Sequence, residues 1–272
     1  MDRPINPAQH CLDVCSAFGQ AADPRMTEVM EAAVRHLHAF VDEVGLTREE
    51  WLAGINFLTE VGKNCDDVRQ EFVLLSDTLG VSMLVEMVNE QPAPGSTEPT
   101  VLGPFYVEGA LPRAFGDSIV DDPSTGGEPL VLHGTLTDLD GHPIPEATIE
   151  VWQVQPNGLY DIEENPQKRN LRGVFRTRGD GTYEVRTVRP VDYTIPDDGP
   201  VGAMLRTAGR KPWRPAHVHL MVRAPGYKPL VTHAFDAGSP WLSEDAVFGV
   251  RGSIIAPMDD GDCQFDLVIE KS

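Results

Sequence analysis

The spacing of apolar residues changes once along the chain, and this change constrains the fold more than any other feature. Between residues 26 and 88 apolar side chains recur every three or four residues, as in amphipathic helices. The Pro- and Gly-containing stretch at residues 91–100 ends this pattern, and later segments alternate apolar and polar side chains as strands do. We therefore predict an α+β, mainly β protein: a helical domain at residues 1–97 and an antiparallel β-sandwich at residues 98–272.

The individual elements are predicted from local start and stop signals. Thr47, followed three residues later by Glu50, is a capping-box pattern that starts the second helix. Gly179-Asp180-Gly181 between two alternating segments predicts a hairpin connection. The predicted helices cover residues 26–44, 47–61, 66–80 and 82–88, and the predicted strands cover residues 130–137, 147–154, 174–177, 182–188, 217–223, 230–235, 252–255 and 265–269, with no helix between the strands.

Charge and cysteine usage narrow the partners and the compartment. A net charge of -20 argues against nucleic acid or an anionic membrane as a partner, because both require clustered Lys and Arg. The four cysteines form no C-x-x-C pair, so free thiols in a reducing cytoplasm are expected, with a Cys11–Cys15 disulfide as the alternative. The first residues lack a signal-peptide pattern, and no stretch approaches the roughly 18 apolar residues of a membrane span. We expect a cytoplasmic protein.

Two histidines, His217 and His219, lie on one face of the strand predicted after Pro215. Side chains alternate across a strand, so both imidazoles point to the same side and are able to share one metal ion. The motif alone equally fits two partly buried histidines that form hydrogen bonds with their neighbours. The type of site therefore depends on other residues.

Two tyrosines, Tyr160 and Tyr193, are predicted in loops braced by Pro or Gly, where functional groups are often held. A phenol has a pKa near 10, so at neutral pH it binds only a strongly Lewis-acidic ion that displaces its proton. Ferric iron favours anionic oxygen and also accepts imidazole, whereas zinc more usually takes Cys, Asp, Glu or a third His. Taken alone, the position of each tyrosine fits a core or interface aromatic residue with a satisfied hydroxyl better than it fits a metal ligand.

Together these segments resemble the intradiol ring-cleavage dioxygenases. The order Tyr160, Tyr193, His217, His219 matches the ferric site of that family. The resemblance implies one ferric ion, Fe(3+), per subunit as the cofactor. It also implies a small aromatic diol or triol and O2 as substrates, with ring opening between the hydroxylated carbons. It rests on Gly158-Leu159-Tyr160-Asp161, Leu171-Arg172-Gly173, Pro190-Val191-Asp192-Tyr193-Thr194-Ile195-Pro196, Arg214-Pro215-Ala216-His217-Val218-His219 and Gly103-Pro104-Phe105-Tyr106.

The resemblance also assigns roles to single residues. Tyr193 would be the ligand that leaves the metal and takes a substrate proton, which makes it catalytic as well as metal-binding. Arg214 would stabilise developing negative charge on the substrate. The alternative for Arg214 is a salt bridge at the strand edge.

The choice of substrate rests on fewer residues. His233 stands where catechol-cleaving relatives typically carry Gln, and the chain most resembles the branch that cleaves hydroxyquinol (benzene-1,2,4-triol); catechol or a chlorocatechol is the alternative. Asp77 is placed either to accept a hydrogen bond from the third hydroxyl or as a solvated or capping carboxylate. By resemblance the substrate pocket comprises Leu74, Asp77, Val101, Leu102, Gly103, Pro104, Phe105, Tyr106, Ile195, Pro196, Arg214, His233 and Val247.

The assembly is likewise expected from the resemblance. It implies a homodimer through the helical domain, with a phospholipid at the dimer contact in some relatives. The amphipathic helices equally suit packing against the chain's own β-domain. Two functions of other classes remain open at this stage: a non-catalytic β-sandwich binding module, and a zinc hydrolase that uses His217 and His219.

Overall fold

A computed structural model of the chain describes residues 6–19, 23–66, 69–165, 167 and 169–272. The chain divides into two compact units, Met1–Thr59 and Glu60–Ser272. In the described residues no helix is both long enough and apolar enough to cross a membrane. The predicted domain boundary at residue 97 stays a prediction.

The first unit contains α1 (Pro7–Phe18), α2 (Pro24–Glu43) and the start of α3 (Arg48–Lys63). The helix predicted at residues 26–44 is confirmed as α2, and the one predicted from residue 47 is confirmed as α3. Thr47 and Glu50 form the predicted capping box, since the Glu50 carboxylate accepts the Thr47 N–H at 2.9 Å and Thr47 Oγ1 accepts the Glu50 N–H at 3.2 Å. The sequence did not predict α1, whose start depends on the Asn6 side chain capping Ala8 and Gln9.

Apolar side chains on these helices are largely exposed. Exposed apolar residues recur at helical intervals along α2 and along α3, and we call this set the helical apolar face. Its exposed members are Met26, Val29, Leu37, Phe40, Val41, Trp51, Leu52, Ile55 and Leu58.

Two further helices, α4 (Glu71–Thr78) and α5 (Val81–Asn89), belong to the second unit. The helix expected at residues 66–80 therefore starts later than predicted; its residue Val68 lies outside the described residues. Asp66 is not helical, and its carboxylate accepts the Arg69 N–H at 2.7 Å. Gly80, with φ at 72°, separates the two helices because a left-handed residue ends the helical hydrogen-bond pattern.

The rest of the second unit is a two-sheet sandwich that confirms the predicted fold class. Its strands are β1 (Pro129–Asp138), β2 (Thr148–Gln153), β3 (Arg172–Arg176), β4 (Thr182–Val188), β5 (Tyr193–Thr194), β6 (Trp213–Arg214), β7 (His217–Arg223), β8 (Leu230–Asp236), β9 (Ile255–Ala256), β10 (Asp262–Gln264) and β11 (Leu267–Ile269). One sheet has the strand order β3-β2-β7-β8-β9, and in the other β1 pairs with β4 on one side and with β10 and β11 on the other. The short strands β5 and β6 form a separate two-stranded ribbon.

Several details differ from the sequence prediction, which did not include the short strands β5, β6 and β10. Two short helices, α6 (Asp161–Glu164) and α7 (Pro200–Thr207), lie between strands where none was expected, because helices of four and eight residues contain too few turns to show a clear period. The pairings of β1 with β10 and β11, and of β8 with β9, are parallel. The strand expected at residues 252–255 is mostly a 3-10 turn, Gly252–Ile254, and β9 starts after it.

The strand β7 carries the predicted alternation of faces. Val218, Leu220 and Val222 are fully buried in the core between the two sheets. Met221 packs on the opposite face, in a separate aromatic cluster that includes Trp152, Tyr160 and Tyr193. His217 and His219 share the face of Met221, so they project away from the sandwich core toward this cluster.

Candidate metal and active site

The two histidines of β7 turn their ring nitrogens toward one point. Their Nε2 atoms lie 3.1 Å apart. His217 Nδ1 lies 2.7 Å from the Pro215 carbonyl oxygen. A carbonyl oxygen can only accept a hydrogen bond, so Nδ1 is the ring nitrogen that carries the proton. This bond keeps the proton on Nδ1, so His217 Nε2 is unprotonated and carries the lone pair that binds a cation.

Tyr160 reaches the same point from the start of α6. Its backbone N–H donates to the Glu163 carboxylate at 2.8 Å, and its ring stacks on Phe105 with the centroids 4.6 Å apart. These contacts hold the ring so that Tyr160 Oη lies 2.8 Å from His219 Nε2. The hydroxyl therefore belongs to the histidine cluster and not to a separate core contact.

Tyr193 lies in β5 and not in a loop as expected, and it pairs across the two-stranded ribbon with Arg214 of β6. This register sets the two side chains next to each other. Tyr193 Oη lies 3.2 Å from Tyr160 Oη and 3.3 Å from Arg214 Nη1. The two tyrosines, 33 residues apart in sequence, thus meet at the histidines.

Two phenol oxygens and two imidazole nitrogens consequently form one cluster, with neighbouring atoms 2.8–3.2 Å apart. Ligand atoms about 2 Å from one ion, at angles near 90–110°, are about 3 Å from each other, so the spacing fits a shared ion. Two phenolates and two neutral imidazoles suit a hard trivalent ion such as Fe(III). The donor set therefore fits ferric iron.

His233 offers a second candidate set, since its ring nitrogens lie close to those of His217 and His219. The ring of His233 stacks on His217 with centroids 4.5 Å apart and planes only 14° from parallel. Imidazole binds metal through lone pairs in the ring plane, and the planes of two stacked rings do not meet at one ion. The geometry therefore favours the set of Tyr160, Tyr193, His217 and His219 over a three-histidine site.

The electrostatics of the cluster favour cation binding. Burial lowers the pKa of His217, His219 and His233 well below the ordinary value, so the imidazoles are neutral, the form that binds metal. Burial raises the pKa of Tyr160 and Tyr193, although the charge of Arg214 opposes the rise at both. Without a cation the phenols keep their protons, and an ion that binds there must displace them.

His233 has unusual surroundings for a buried imidazole. Burial lowers the pKa of His233, and the Val101 backbone opposes this effect only in part. Neither ring nitrogen makes a hydrogen bond of good geometry within the described chain. His219 Nδ1 is likewise buried without a partner among the described residues. The His219 ring is held instead by stacking on Trp152, its cross-strand neighbour, with centroids 4.7 Å apart.

Arg214 forms a salt bridge, the alternative considered for it, and it also lies beside the donor cluster. Its guanidinium forms a buried ion pair with Asp245, with Nε 3.1 Å from the carboxylate, while Nη1 lies 3.3 Å from His217 Nε2. Burial opposes the charge, but Asp245 and Tyr193 outweigh it and hold the pKa of Arg214 above its ordinary value. A permanent positive charge therefore lies at the edge of the donor cluster.

A second buried ion pair, between Asp161 and Arg172, has no assigned role in the sequence prediction. Asp161 directly follows Tyr160 in the sequence. Its carboxylate accepts hydrogen bonds from Arg172 Nε and Nη2 at 2.8 and 2.6 Å. The charge of Arg172 also lowers the pKa of Tyr160, although the effect of burial is larger. Both residues fall within the resembling segments, but only the fold shows that they bond each other.

A cavity of about 390 Å³ opens beside the tyrosines, in the size range of small-molecule sites. Thr194 and Ile195, which follow Tyr193, line one side, and Phe105, which stacks on Tyr160, lines another. Five of the predicted pocket residues are among those lining it: Leu74, Pro104, Phe105, Ile195 and Pro196. The rim carries one cation and four carboxylates, Arg69, Glu71, Glu163, Asp197 and Asp198, so a neutral aromatic compound suits it better than an anion.

Among the other predicted pocket residues, Gly103 lies against a candidate ligand, whereas Asp77 is buried on α4 and is not among the described residues that line the cavity. Burial raises the pKa of Asp77, and a hydrogen bond from the Ser82 side chain and the charge of Arg214 lower it. A Cβ at Gly103 would lie 3.3 Å from His219 Cε1, so this glycine allows the chain to approach the ring closely.

The remaining predicted residues lie farther around the site. Tyr106 packs on Trp152 and its hydroxyl lies 3.3 Å from the Glu150 carboxylate. Val101 and Val247 are buried, and Leu102 is partly exposed. The described residues that line the cavity do not include these three, Tyr106 or His233. Their contact with a substrate stays a prediction.

Comparison with protein families gives two matches. Residues 101–268 match the family described as dioxygenase, and residues 23–97 match the family described as catechol dioxygenase N terminus. Together the two matches cover both the helical region and the sandwich.

Individual relatives agree with these matches. The chain is 48% identical over 243 residues to the 6-chlorohydroxyquinol 1,2-dioxygenase of Cupriavidus pinatubonensis, covering 89% of this chain and 87% of that protein. It is also 48% identical over 236 residues to a hydroxyquinol 1,2-dioxygenase of a Rhizobium species, covering 86% and 79% of the two chains. The crystal structure of hydroxyquinol 1,2-dioxygenase from Pseudomonas putida is similar, with a TM-score of 0.91, 42% identity and coverage of 98% and 99%.

Proposed function

The chain belongs to the intradiol ring-cleavage dioxygenase family, and on this basis we propose that it cleaves hydroxyquinol (benzene-1,2,4-triol) with O2. Cleavage falls between the two adjacent hydroxylated carbons and gives 3-hydroxy-cis,cis-muconate, a tautomer of maleylacetate. Both atoms of O2 enter the product. One ferric ion per subunit is proposed as the cofactor.

One observation carries the metal assignment: Tyr160 Oη, Tyr193 Oη, His217 Nε2 and His219 Nε2 lie at ligand-to-ligand distances around one point. Ferric iron held by these four residues would supply a Lewis acid that displaces the phenol protons and draws electron density from a chelated ring. The Pro215 carbonyl keeps the proton of His217 on Nδ1, so that Nε2 is available.

Protein groups at the cavity are placed for proton and charge handling. Tyr193 precedes the lining residues Thr194 and Ile195, and as a phenolate its Oη is the group we assign to accept a proton from a ring hydroxyl. Arg214 Nη1, 3.3 Å from that oxygen, stabilises negative charge on the phenolate and on the deprotonated substrate. Both Tyr193 and Arg214 are buried, so few water molecules reach either side chain.

Three features support hydroxyquinol as the substrate. The relatives that are 48% identical bear hydroxyquinol in their names. Asp77, buried on the same helix as the lining residue Leu74, offers a carboxylate for the third hydroxyl. Plain catechol would leave this buried group without that bond, and such a loss disfavours a substrate.

The proposal is tested by loading the full chain with Fe(III), recording its visible spectrum and comparing turnover of benzene-1,2,4-triol with catechol. Tyrosinate bound to ferric iron gives a broad charge-transfer band and a burgundy colour, and consumption of one O2 per triol is expected. A colourless protein that stays inactive after iron loading would sink the proposal. A clear preference for catechol would overturn the substrate assignment alone.

We also propose a homodimer through the helical apolar face, with phospholipid acyl chains bound at the contact. The exposed apolar side chains of α2 and α3 support this, since water-exposed surfaces of this kind are usually covered. The cytoplasmic location expected from the sequence is supported by the four cysteines, which are all free thiols.

A further inference from the structure

The buried carboxylate of Asp245 is held from four directions. Its Oδ1 accepts the Val247 N–H at 3.3 Å and Arg214 Nε at 3.1 Å, and its Oδ2 accepts the Gly249 N–H at 2.9 Å and Arg214 Nη2 at 3.4 Å. Each oxygen thus has one backbone donor and one guanidinium donor. The backbone donors prevent the carboxylate from rotating, so it presents a fixed pair of acceptors to Arg214.

This pairing leaves one nitrogen of Arg214 directed at the reaction centre. With Nε and Nη2 bound to Asp245, Nη1 lies 3.3 Å from both Tyr193 Oη and His217 Nε2. A guanidinium is planar, so fixing two of its nitrogens fixes the position of the third.

The segment that contains Asp245 closes tightly around the guanidinium. A Cβ at Gly249 would lie 3.1 Å from Arg214 Nη2 and 3.0 Å from Thr100 Oγ1. Thr100 Oγ1 also donates to the Gly249 carbonyl at 2.7 Å, which ties this segment to the chain ahead of β1. The close packing leaves Arg214 little space to move.

We propose that Asp245 is a positioning residue for ring cleavage: it holds Arg214 so that Nη1 faces Tyr193 Oη and the negative charge of the bound substrate. Asp245 itself contacts Arg214 and backbone N–H groups, and it acts only through Arg214. The inference rests on the proposed function, because it assigns Asp245 a part in that reaction.

The first test compares iron-loaded Asp245→Asn with the unchanged full chain. We expect kcat to fall by about 10- to 100-fold while KM for benzene-1,2,4-triol changes by less than about threefold, since charge stabilisation is lost in the transition state. The charge-transfer band should also shift to longer wavelength, because a phenolate without its cationic partner gives up an electron more easily. A purely structural ion pair would lower stability without moving the band or kcat.

Asp138→Asn is a matched control. Asp138 is buried to a similar degree, accepts two backbone N–H groups, from Asp140 and His142, and pairs with the cation of Lys271, but it is the last residue of β1, in the other sheet. This variant should keep the kcat and the band of the unchanged chain. If Asp245→Asn does not fold, Asp245→Glu tests the same point, because it keeps the charge and displaces it by one methylene.

The second test uses chemical rescue. In Arg214→Ala, free guanidinium ion should raise kcat at least tenfold, since Asp245 provides its binding place. The concentrations used are far below those that unfold proteins. In the double variant Arg214→Ala, Asp245→Asn the same addition should raise kcat by less than twofold. Equal rescue in both backgrounds, or full kcat and an unshifted band in Asp245→Glu, would overturn the inference.

These outcomes differ from failure of the proposed function. If the unchanged chain with iron bound neither shows the band nor opens the ring, the proposed function fails. If the unchanged chain does both and the Asp245 variants match it, only the positioning role fails.

Discussion

His233 stacks on His217 with the ring planes 14° from parallel and the centroids 4.5 Å apart. It thereby packs against a candidate ligand without directing a lone pair at the same point. This relationship separates two candidate metal sites that share His217 and His219: one completed by the tyrosines and one completed by His233.

Replacement of His233 by Gln should therefore leave the iron bound. We expect His233→Gln to retain at least about half of the iron and the charge-transfer colour, while kcat/KM changes by about tenfold or less, as for residues outside the ligand set. The measurement is iron content with the visible spectrum, and His142→Gln, on the exposed side of a turn, is the control. Loss of the metal together with loss of colour would favour the three-histidine site.

Removal of either tyrosine hydroxyl should affect the metal directly. Tyr160→Phe and Tyr193→Phe keep the rings but remove one oxygen donor each, so the charge-transfer band should weaken or shift and activity should fall by more than about 100-fold. Tyr183→Phe is the matched control, since Tyr183 is equally buried but its hydroxyl donates to the Phe265 carbonyl in the sandwich core. An undiminished band in both site variants would rule out phenolate ligation.

Much of this arrangement follows from local sequence signals. The alternation of β7 predicts that His217 and His219 share a face, and the structure places Val218 and Leu220 in the opposite core. The fold class and the capping box at Thr47 follow in the same way, because periodicity and caps depend on residues within a few positions.

Contacts between distant segments have no such local signal. Arg214 and Asp245 are 31 residues apart, and nothing short of the fold shows that they pair. The partner of Asp161 is Arg172, across a loop and a strand start, and the stacking of His233 on His217 depends on the pairing of β7 with β8. The short helix α7 lacked enough turns to show a period, and its start is marked only by Pro200.

Asp77 should govern the preference for a third hydroxyl group. Asp77→Asn keeps the shape and removes the charge, so we expect kcat/KM for benzene-1,2,4-triol to fall by about 10- to 100-fold, the loss typical of a hydrogen bond to a charged group. Catechol serves as the internal control, because it has no third hydroxyl and its kcat/KM should change by less than about threefold. Equal losses for both compounds would show that Asp77 does not bind that hydroxyl.

The helical apolar face should mediate self-association. Phe40→Glu and Trp51→Glu place charges on exposed positions of α2 and α3, so we expect the dimer to dissociate at micromolar concentration and any copurifying phospholipid to be lost. Light scattering after gel filtration and mass spectrometry of lipid extracts measure the two effects. Leu139→Glu, at an exposed position just beyond β1, is the control and should stay dimeric; a monomeric unchanged chain would contradict the assignment.

The thiol of Cys263 should be inert in the folded protein. Cys263 is fully buried in β10, and burial raises its pKa to about 12, so almost none of the reactive thiolate is present at pH 8. Iodoacetamide should modify Cys263 only after unfolding, whereas the partly exposed Cys11 and Cys65 react in the native state. Peptide mass spectrometry with and without urea makes the comparison.

The same raised pKa of Cys263 predicts how stability depends on pH. The folded state holds the thiol proton up to a pKa of about 12, whereas the unfolded state releases it near the ordinary pKa of 9.0, so the unfolded state binds fewer protons between these values. Stability from this group is therefore complete below pH 9 and is lost as pH rises toward 12, by at most about 1.4 kcal/mol per pH unit. Urea unfolding from pH 8 to 10.5 should show a shallower decline for Cys263→Ala than for the unchanged chain; parallel declines would mean that the folded thiol titrates normally.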